Sequence, residues 1–319
     1  MYLDSLICSR LDRAGLQDLV DGGVRCATVT CGFWEDATGS MDSLVTWHRL
    51  IAENPDLAGL GTSAAEIEAI AAQGRVAIIL GFQNSAFLQG RLGYVEMFHK
   101  MGVRVAQLTY NIQNDIGGSC YDPEDAGLTR FGQEVVGEMN RVGMVVDLSH
   151  VGNRTTLEAI QASAKPVAVT HANCSDLVEH PRNKPAHILK ELAARGGMVG
   201  LTTYHNITRG YNGSPDEWAT MVARTAELIG AESIGIGTDD NQGGDAAYLA
   251  WMRNGRWSFR TQQGASVGPG LATGTKTEWY RGPGDFQVFG PALRRVGFSE
   301  GETADILWGN WNRFYKEVM

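Results

Sequence analysis

Between residues 144 and 183 the chain reads MVVDLSHVGNRTTLEAIQASAKPVAVTHANCSDLVEHPRN, and no other stretch limits its fold as much. Two short apolar runs, 144–148 and 166–169, each lead through one polar residue to a histidine, and an amphipathic segment separates them. That pattern predicts a strand, a helix and a second strand, and a βαβ unit lays its two strands side by side and parallel. The imidazoles of His150 and His171, one such repeat apart, then meet at the carboxyl ends of neighbouring strands. Two neutral imidazoles converging there suit a divalent metal, zinc before others. Either histidine alone would equally well cap its strand through a backbone carbonyl; the matched pair is what favours the metal.

The same alternation runs along the whole chain. Apolar runs predict strands at 2–8, 25–31, 76–83, 103–110, 144–148, 166–169, 198–204 and 233–240. Between them lie segments of helical period, among them 12–20, 41–51, 64–73, 92–101, 130–142, 185–195 and 215–229. Gly74, Gly102, Gly196 and Gly230 stop helices just where the next strand begins. In 319 residues this alternation most simply closes into a (β/α)8 TIM barrel, a fold of about 250 residues before insertions. A doubly wound open sheet is the alternative, but no G-x-G-x-x-G follows the first strand to recommend a dinucleotide fold. With no internal repeat and no low-complexity linker, residues 1–319 read as a single domain. The segment 241–285, rich in glycine, arginine and aromatics, is too long for an ordinary connection and reads as a functional loop over the barrel mouth. Helices at 286–295 and 299–318 end the chain.

In a parallel barrel the chemistry sits at the carboxyl ends of the strands. The polar residues there are Cys8, Cys31, Gln83, Tyr110 with Asn111, His150, His171, Tyr204 with His205, and Asp239 with Asp240. Asp239 would either ligate the metal or take a proton from the attacking water; in T-D-D-N-Q-G-G it equally reads as a turn or cap residue. Arg182, in H-P-R-N-K-P beyond His171, offers a planar fork that grips a carboxylate with two parallel hydrogen bonds. A solvated surface arginine is the plain alternative. His48, His99, His180 and His187 fall in loops or on helices without partners and are assigned to surface or packing.

A formal net charge of −9 weighs against nucleic acid and anionic membrane surfaces as partners. No run approaches the roughly 18–20 apolar residues of a membrane span. The opening MYLDSLICSRLDR lacks the basic-then-apolar pattern of a signal peptide. Five cysteines without C-x-x-C spacing argue against both a disulfide framework and a zinc knuckle. The expectation is a cytoplasmic protein acting on a small molecule, with a homodimer as the candidate assembly.

These residues also carry a resemblance that covers nearly the whole chain. D-L-S-H-V at 147–151, T-H-A-N-C at 170–174, H-P-R-N at 180–183, G-G-M-V-G at 196–200 and G-I-G-T-D at 235–239 resemble, in order and spacing, the renal or membrane dipeptidase family of metallopeptidases. The resemblance implies a (β/α)8 barrel of the metallo-dependent hydrolase kind, in which two zinc ions hydrolyse dipeptides, including those with a D-residue at the carboxyl end. It implies that His150 and His171 share one metal position, that Arg182 binds the substrate carboxylate and that Asp239 handles the catalytic proton. Asn111 stands where the family has a substrate-contacting histidine, so Asn111 and its neighbour Tyr110 are assigned to substrate binding.

The departures are equally specific. Where the family has D-G-H-x-D at the first strand, this chain has Asp4-Ser5-Leu6-Ile7-Cys8, so Leu6 and Cys8 replace the histidine and aspartate of the other metal. Gln83 replaces a glutamate that bridges the two ions. Two divalent ions would face none of the carboxylates that neutralise them. The expected cofactor is therefore one zinc, or another divalent ion, per chain on His150 and His171, with Gln83 and Cys8 as candidates to complete the site. Three readings follow: a one-metal hydrolase of a dipeptide or small carboxylate-bearing amide, a barrel repurposed for a different small metabolite, and a non-catalytic ligand-binding relative.

Overall fold

A computed structural model describes residues 1–255, 263–265, 267 and 277–319. Its strands are β1 (Tyr2–Ile7), β2 (Val24–Thr30), β3 (Ala58–Leu60), β4 (Val76–Phe82), β5 (Val103–Gln107), β6 (Val145–Asp147), β7 (Ala168–Val169), β8 (Met198–Leu201) and β9 (Ile234–Ile236). Neighbours pair in parallel from β4 through β9 and on to β1 and β2, and β2 pairs directly with β4. Eight strands thereby close the (β/α)8 barrel that the alternation predicts. The ninth, β3, lies outside the predicted set, because Ala-Gly-Leu is too short a run to announce a strand. It lies on β4 from Val76 to Ile78, while β5 joins β4 only from Leu80 onward. Without β3 that stretch of β4 would be an open edge.

Several strands end earlier than their apolar runs predict. β5 stops at Gln107, β6 at Asp147, β8 at Leu201 and β9 at Ile236, while β7 ends at Val169 as its run predicts, so His150, His171 and Asp239 follow the strand ends, at the barrel mouth. The expected helices are present, with one that starts earlier than its apolar pattern: Ala37–Glu53 begins after Asp36, whose carboxylate accepts from Gly39 N. The segment 241–285 is not wholly irregular. It contains the helix Ala246–Asn254, capped by Asp245, while 256–262, 266 and 268–276 lie outside the described residues. The final helix is broken into Glu300–Ala304, a π-helical turn Asp305–Gly309 and Asn310–Val318.

The last of these plugs the amino-terminal end of the barrel. Trp311, Phe314, Tyr315 and Val318 pack on Leu3, Cys26, Ile79, Val105, Val145 and Met198. Gly235 is glycine because a Cβ there would strike the Trp311 indole. Higher in the barrel, a Cβ on Gly200 or Gly237 would land on the Thr170 carbonyl oxygen. Ser5 crosses the same gap, its hydroxyl reaching Thr170 O at 2.6 Å and Ile236 O at 2.9 Å. The glycines of G-G-M-V-G and G-I-G-T-D thus keep the strands close enough to converge on one mouth. Among the described residues no helix is long and apolar enough to cross a membrane.

Candidate active site

Two similar brackets hold the working ends of the strands. On β6, Asp147 Oδ1 accepts from the backbone N–H of Ser149 (3.0 Å) and of Thr170 (3.0 Å), and Oδ2 accepts from the Thr170 hydroxyl (2.7 Å). On β1, Asp4 Oδ1 accepts from Leu6 N (3.3 Å) and Thr238 N (2.9 Å), and Oδ2 accepts from the Thr238 hydroxyl (2.5 Å). Each carboxylate grips the threonine that immediately precedes a candidate functional residue, His171 in one case and Asp239 in the other. Both carboxylates are buried, and burial pushes both up from the ordinary range, Asp4 to about 7, against the opposing pull of their hydrogen bonds.

The Asp147 bracket extends to the histidines. Because Thr170 gives its proton to Asp147, its oxygen accepts from His171 Nδ1–H at 2.8 Å. His150 Nδ1–H donates to Asn111 Oδ1 at 2.7 Å, and Asn111 Nδ2 in turn donates to Gln263 O. With both Nδ1 positions protonated, the two Nε2 atoms present lone pairs to one another at 3.0 Å. Burial first, and then Arg182, hold both imidazoles well below their usual pKa, which disfavours a proton between them. A shared cation resolves that confrontation, so this donor pair fits a divalent metal. Among the described residues no third histidine, cysteine, aspartate or glutamate joins the two to complete a metal cluster.

Arg182 is not a surface arginine. It is 2% exposed, with Nη1 donating to Ser149 O (2.5 Å) and Nη2 to His171 O (3.0 Å), so it is anchored to the loops that carry both histidines. Two of its five side-chain N–H donors are thereby used, and the other three have no partner among the described residues. Asp239 sits in the left-handed region at φ 58°, a strained setting for aspartate that the Asp4–Thr238 bracket enforces. Its carboxyl is raised to about 7, by burial against the pull of Arg182.

The other predicted residues fall elsewhere around the mouth. The Cys8 thiol lies against Asp239 rather than the histidines, 3.7 Å from Oδ1, and burial pushes it well above its usual pKa. Gln83 is buried, and its amide donates to the Thr30 hydroxyl at 2.9 Å. Asn111 reaches the site through His150, both of its polar atoms being engaged within the protein. The Tyr110 ring lies tilted against His150 at 4.2 Å and Phe33 at 4.9 Å and edge-on to Trp34 at 5.4 Å. Tyr248 and Trp251 of the helix Ala246–Asn254 extend this aromatic wall, donating to Cys8 O and to Glu35.

Three residues near the site carry little or no signal in the sequence. His180, assigned to surface or packing, accepts from Arg182 N at 3.1 Å and stands edge-on to Tyr121 at 6.3 Å. Burial, with Arg182 next, holds it down to about 4. Lys184 is fully buried with Nζ on the Val151 carbonyl, lowered to about 8 by burial. The one sequence signal for both is their place in H-P-R-N-K-P. Tyr121, in the loop after β5, has no signal at all.

The closed parallel barrel thus brings a histidine pair, a buried arginine and an acid together at its mouth. Comparison with known proteins assigns the chain to a family. The model of the membrane dipeptidase family, peptidase family M19, matches residues 12–251, and the chain belongs to that family. It is 32% identical over 208 residues to dipeptidase verJ of Clonostachys rogersoniana, covering 65% of this chain and 54% of that protein. It is 31% identical over 203 residues to dipeptidase aclJ of Aspergillus oryzae, covering 60% and 47%. The chain thus spans about half the length of the curated relatives it matches. Among solved structures, an amidohydrolase from Pseudomonas aeruginosa superposes with a TM-score of 0.93 at 33% identity, over 100% of this chain and 96% of that one. A metallo peptidase from Rhodobacter sphaeroides, liganded with a phosphinate mimic of L-Ala-D-Ala, shares the fold with a TM-score of 0.82 at 16% identity, over 100% and 99%.

Proposed function

We propose that this chain is a metal-dependent hydrolase of the dipeptidase kind, cleaving a dipeptide or a small carboxylate-bearing amide with one divalent ion, zinc by preference, held by His150 and His171. The observation that carries the reading is the 3.0 Å approach of the two Nε2 atoms, each ring held through Nδ1 by a neighbour. A divalent ion there supplies Lewis acidity to the scissile carbonyl and acidifies water. Arg182 offers its remaining N–H groups to the substrate carboxylate. Asp239, poised near neutrality, takes a proton from water and returns it to the departing amine. Asn111 orients His150, and Tyr110 walls the substrate on the side of the aromatic cluster. All five cysteines are unpaired, which suits a reducing compartment such as the cytoplasm.

A second reading, a barrel turned to another small amide, is favoured by the first strand and β4. Leu6, Cys8 and Gln83 bring no ionised ligand to the mouth, so one ion must act without a partner. Elemental analysis should find about one zinc per chain, lost in His150→Ala and His171→Ala. A panel of L,L- and L,D-dipeptides beside N-acyl and N-methyl amino acids should show weak turnover of common dipeptides and faster turnover of one carboxylate-bearing amide. Two tightly bound ions, or turnover of common dipeptides at tens per second, would overturn the one-metal account; absence of both metal and turnover would overturn the hydrolase itself.

A further inference from the structure

Tyr121 carries a buried hydroxyl with no hydrogen-bond partner among the described residues. Such a group is costly unless something arrives to satisfy it. Its backbone is not free to drift. Just before it, the Ser119 hydroxyl and Cys120 N both donate to His150 O, at 2.8 and 2.9 Å. Just after it, Asp122 accepts from Ser119 N at 2.7 Å and from Gln113 N at 3.2 Å. Tyr121 is therefore held between two fixed points, against the loop that carries one histidine of the pair. Its ring stands edge-on to His180, whose Nδ1 accepts from Arg182 N. After burial, the groups that act on its phenol are Cys120 first, its chain neighbour, and then Arg182, Tyr204 and Asp239 of the mouth. Burial pushes that phenol well above its usual pKa, so it stays a donor across the working range.

We propose that the Tyr121 hydroxyl is the second half of the carboxylate subsite, donating a hydrogen bond to the substrate carboxylate beside the unused N–H groups of Arg182. A phenol O–H and a guanidinium both offer donors, and an anionic acceptor is the ligand chemistry that satisfies them together. This rests on the reading of the site as one for carboxylate-bearing amides and adds to it the residue that decides whether a free carboxylate is required. The hydroxyl is spent on the ligand and on none of the described residues, so its removal leaves the fold untouched.

The test compares the zinc-loaded full chain with Tyr121→Phe, using as probes the phosphinate mimic of L-Ala-D-Ala and the same compound with its terminal carboxylate converted to an amide. Calorimetry should show the phosphinate bound about 10- to 100-fold more weakly by the variant, with a clearly smaller loss for the amide, whose carbonyl is a neutral and weaker acceptor than a carboxylate. Zinc content and Tm should be unchanged or Tm slightly raised, since the variant removes an unsatisfied polar group; a hydroxyl with a purely structural role would lower Tm instead. Phosphinate affinity within twofold of wild type, an equal loss for the amide, or a lowered Tm with no effect on binding each overturns the assignment. If wild type binds neither compound, the carboxylate-amide reading falls and this inference falls with it, a result distinct from those in which only Tyr121 fails.

Discussion

At the residue scale, the site depends on side chains that act through other side chains. Thr170 gives its proton to Asp147 and takes one from His171, so it sets both the tautomer and the tilt of that ring. Thr170→Val keeps the shape and removes both bonds. Zinc affinity, measured by chelator competition, should fall about 10- to 100-fold with the fold intact, and Thr170→Ser should recover most of it. Arg182 has two duties. Arg182→Lys keeps the charge but cannot span the Ser149 and His171 carbonyls, so one buried acceptor is left unpaired at about 1–3 kcal/mol. Steady-state kinetics should show KM raised by an order of magnitude or more with a smaller change in kcat, and thermal unfolding a modestly lower Tm. A surface role for Arg182 would leave both unchanged.

At the scale of elements, close approach of strands sets which glycines are replaceable. Gly237, just past β9, faces the Thr170 carbonyl and the Ser5 hydroxyl. Gly237→Ala would push β9 from β7 and displace Asp239, two residues on. It should cost about 3 kcal/mol or more in denaturant unfolding and lower activity with it. Gly137, in the helix Arg130–Val142, has nothing near its absent Cβ. Gly137→Ala should raise stability by about 0.5–1 kcal/mol, since alanine is the better helix former and loses less freedom on folding. Equal effects of the two changes would show that propensity, not strand proximity, governs Gly237.

Across the whole molecule, the buried acids tie stability to pH. Asp4 is raised from its ordinary 3.8 to about 7, so the folded state binds a proton that the unfolded chain releases. Its contribution is complete below about 4 and is lost as pH climbs through about 7. Linkage over that span is worth about 4 kcal/mol at most. Asp4→Asn, which imitates the protonated acid, should match wild type near pH 4 and gain on it as pH rises to 8, read as the difference in unfolding midpoint. A difference that stays flat with pH would show that Asp4 is ionised throughout the range.

The range of the forces involved separates what is legible in the chain from what is not. Strand and helix periodicity, the glycine stops and the βαβ spacing of His150 and His171 are local patterns, so the barrel and the histidine pair are readable in the residues themselves. The Ala246–Asn254 helix is hidden because its apolar pattern is weak and its aromatic face finds a purpose only against Phe33 and Trp34. Asp4 and Asp147 read as ordinary strand residues. Only closure of the barrel brings Asp4 to Thr238, 234 positions away, and sets Asn111 on His150. His180 has meaning only as a neighbour of Arg182, and Tyr121 only as a neighbour of His180. Residue order is enough to specify the barrel and the strand ends that bear imidazole and carboxylate, because backbone period and turn chemistry act over a few residues. Which buried polar atoms are satisfied and which are left for a ligand is settled only in three dimensions, because it depends on what the closed barrel brings within 3 Å or so of each one.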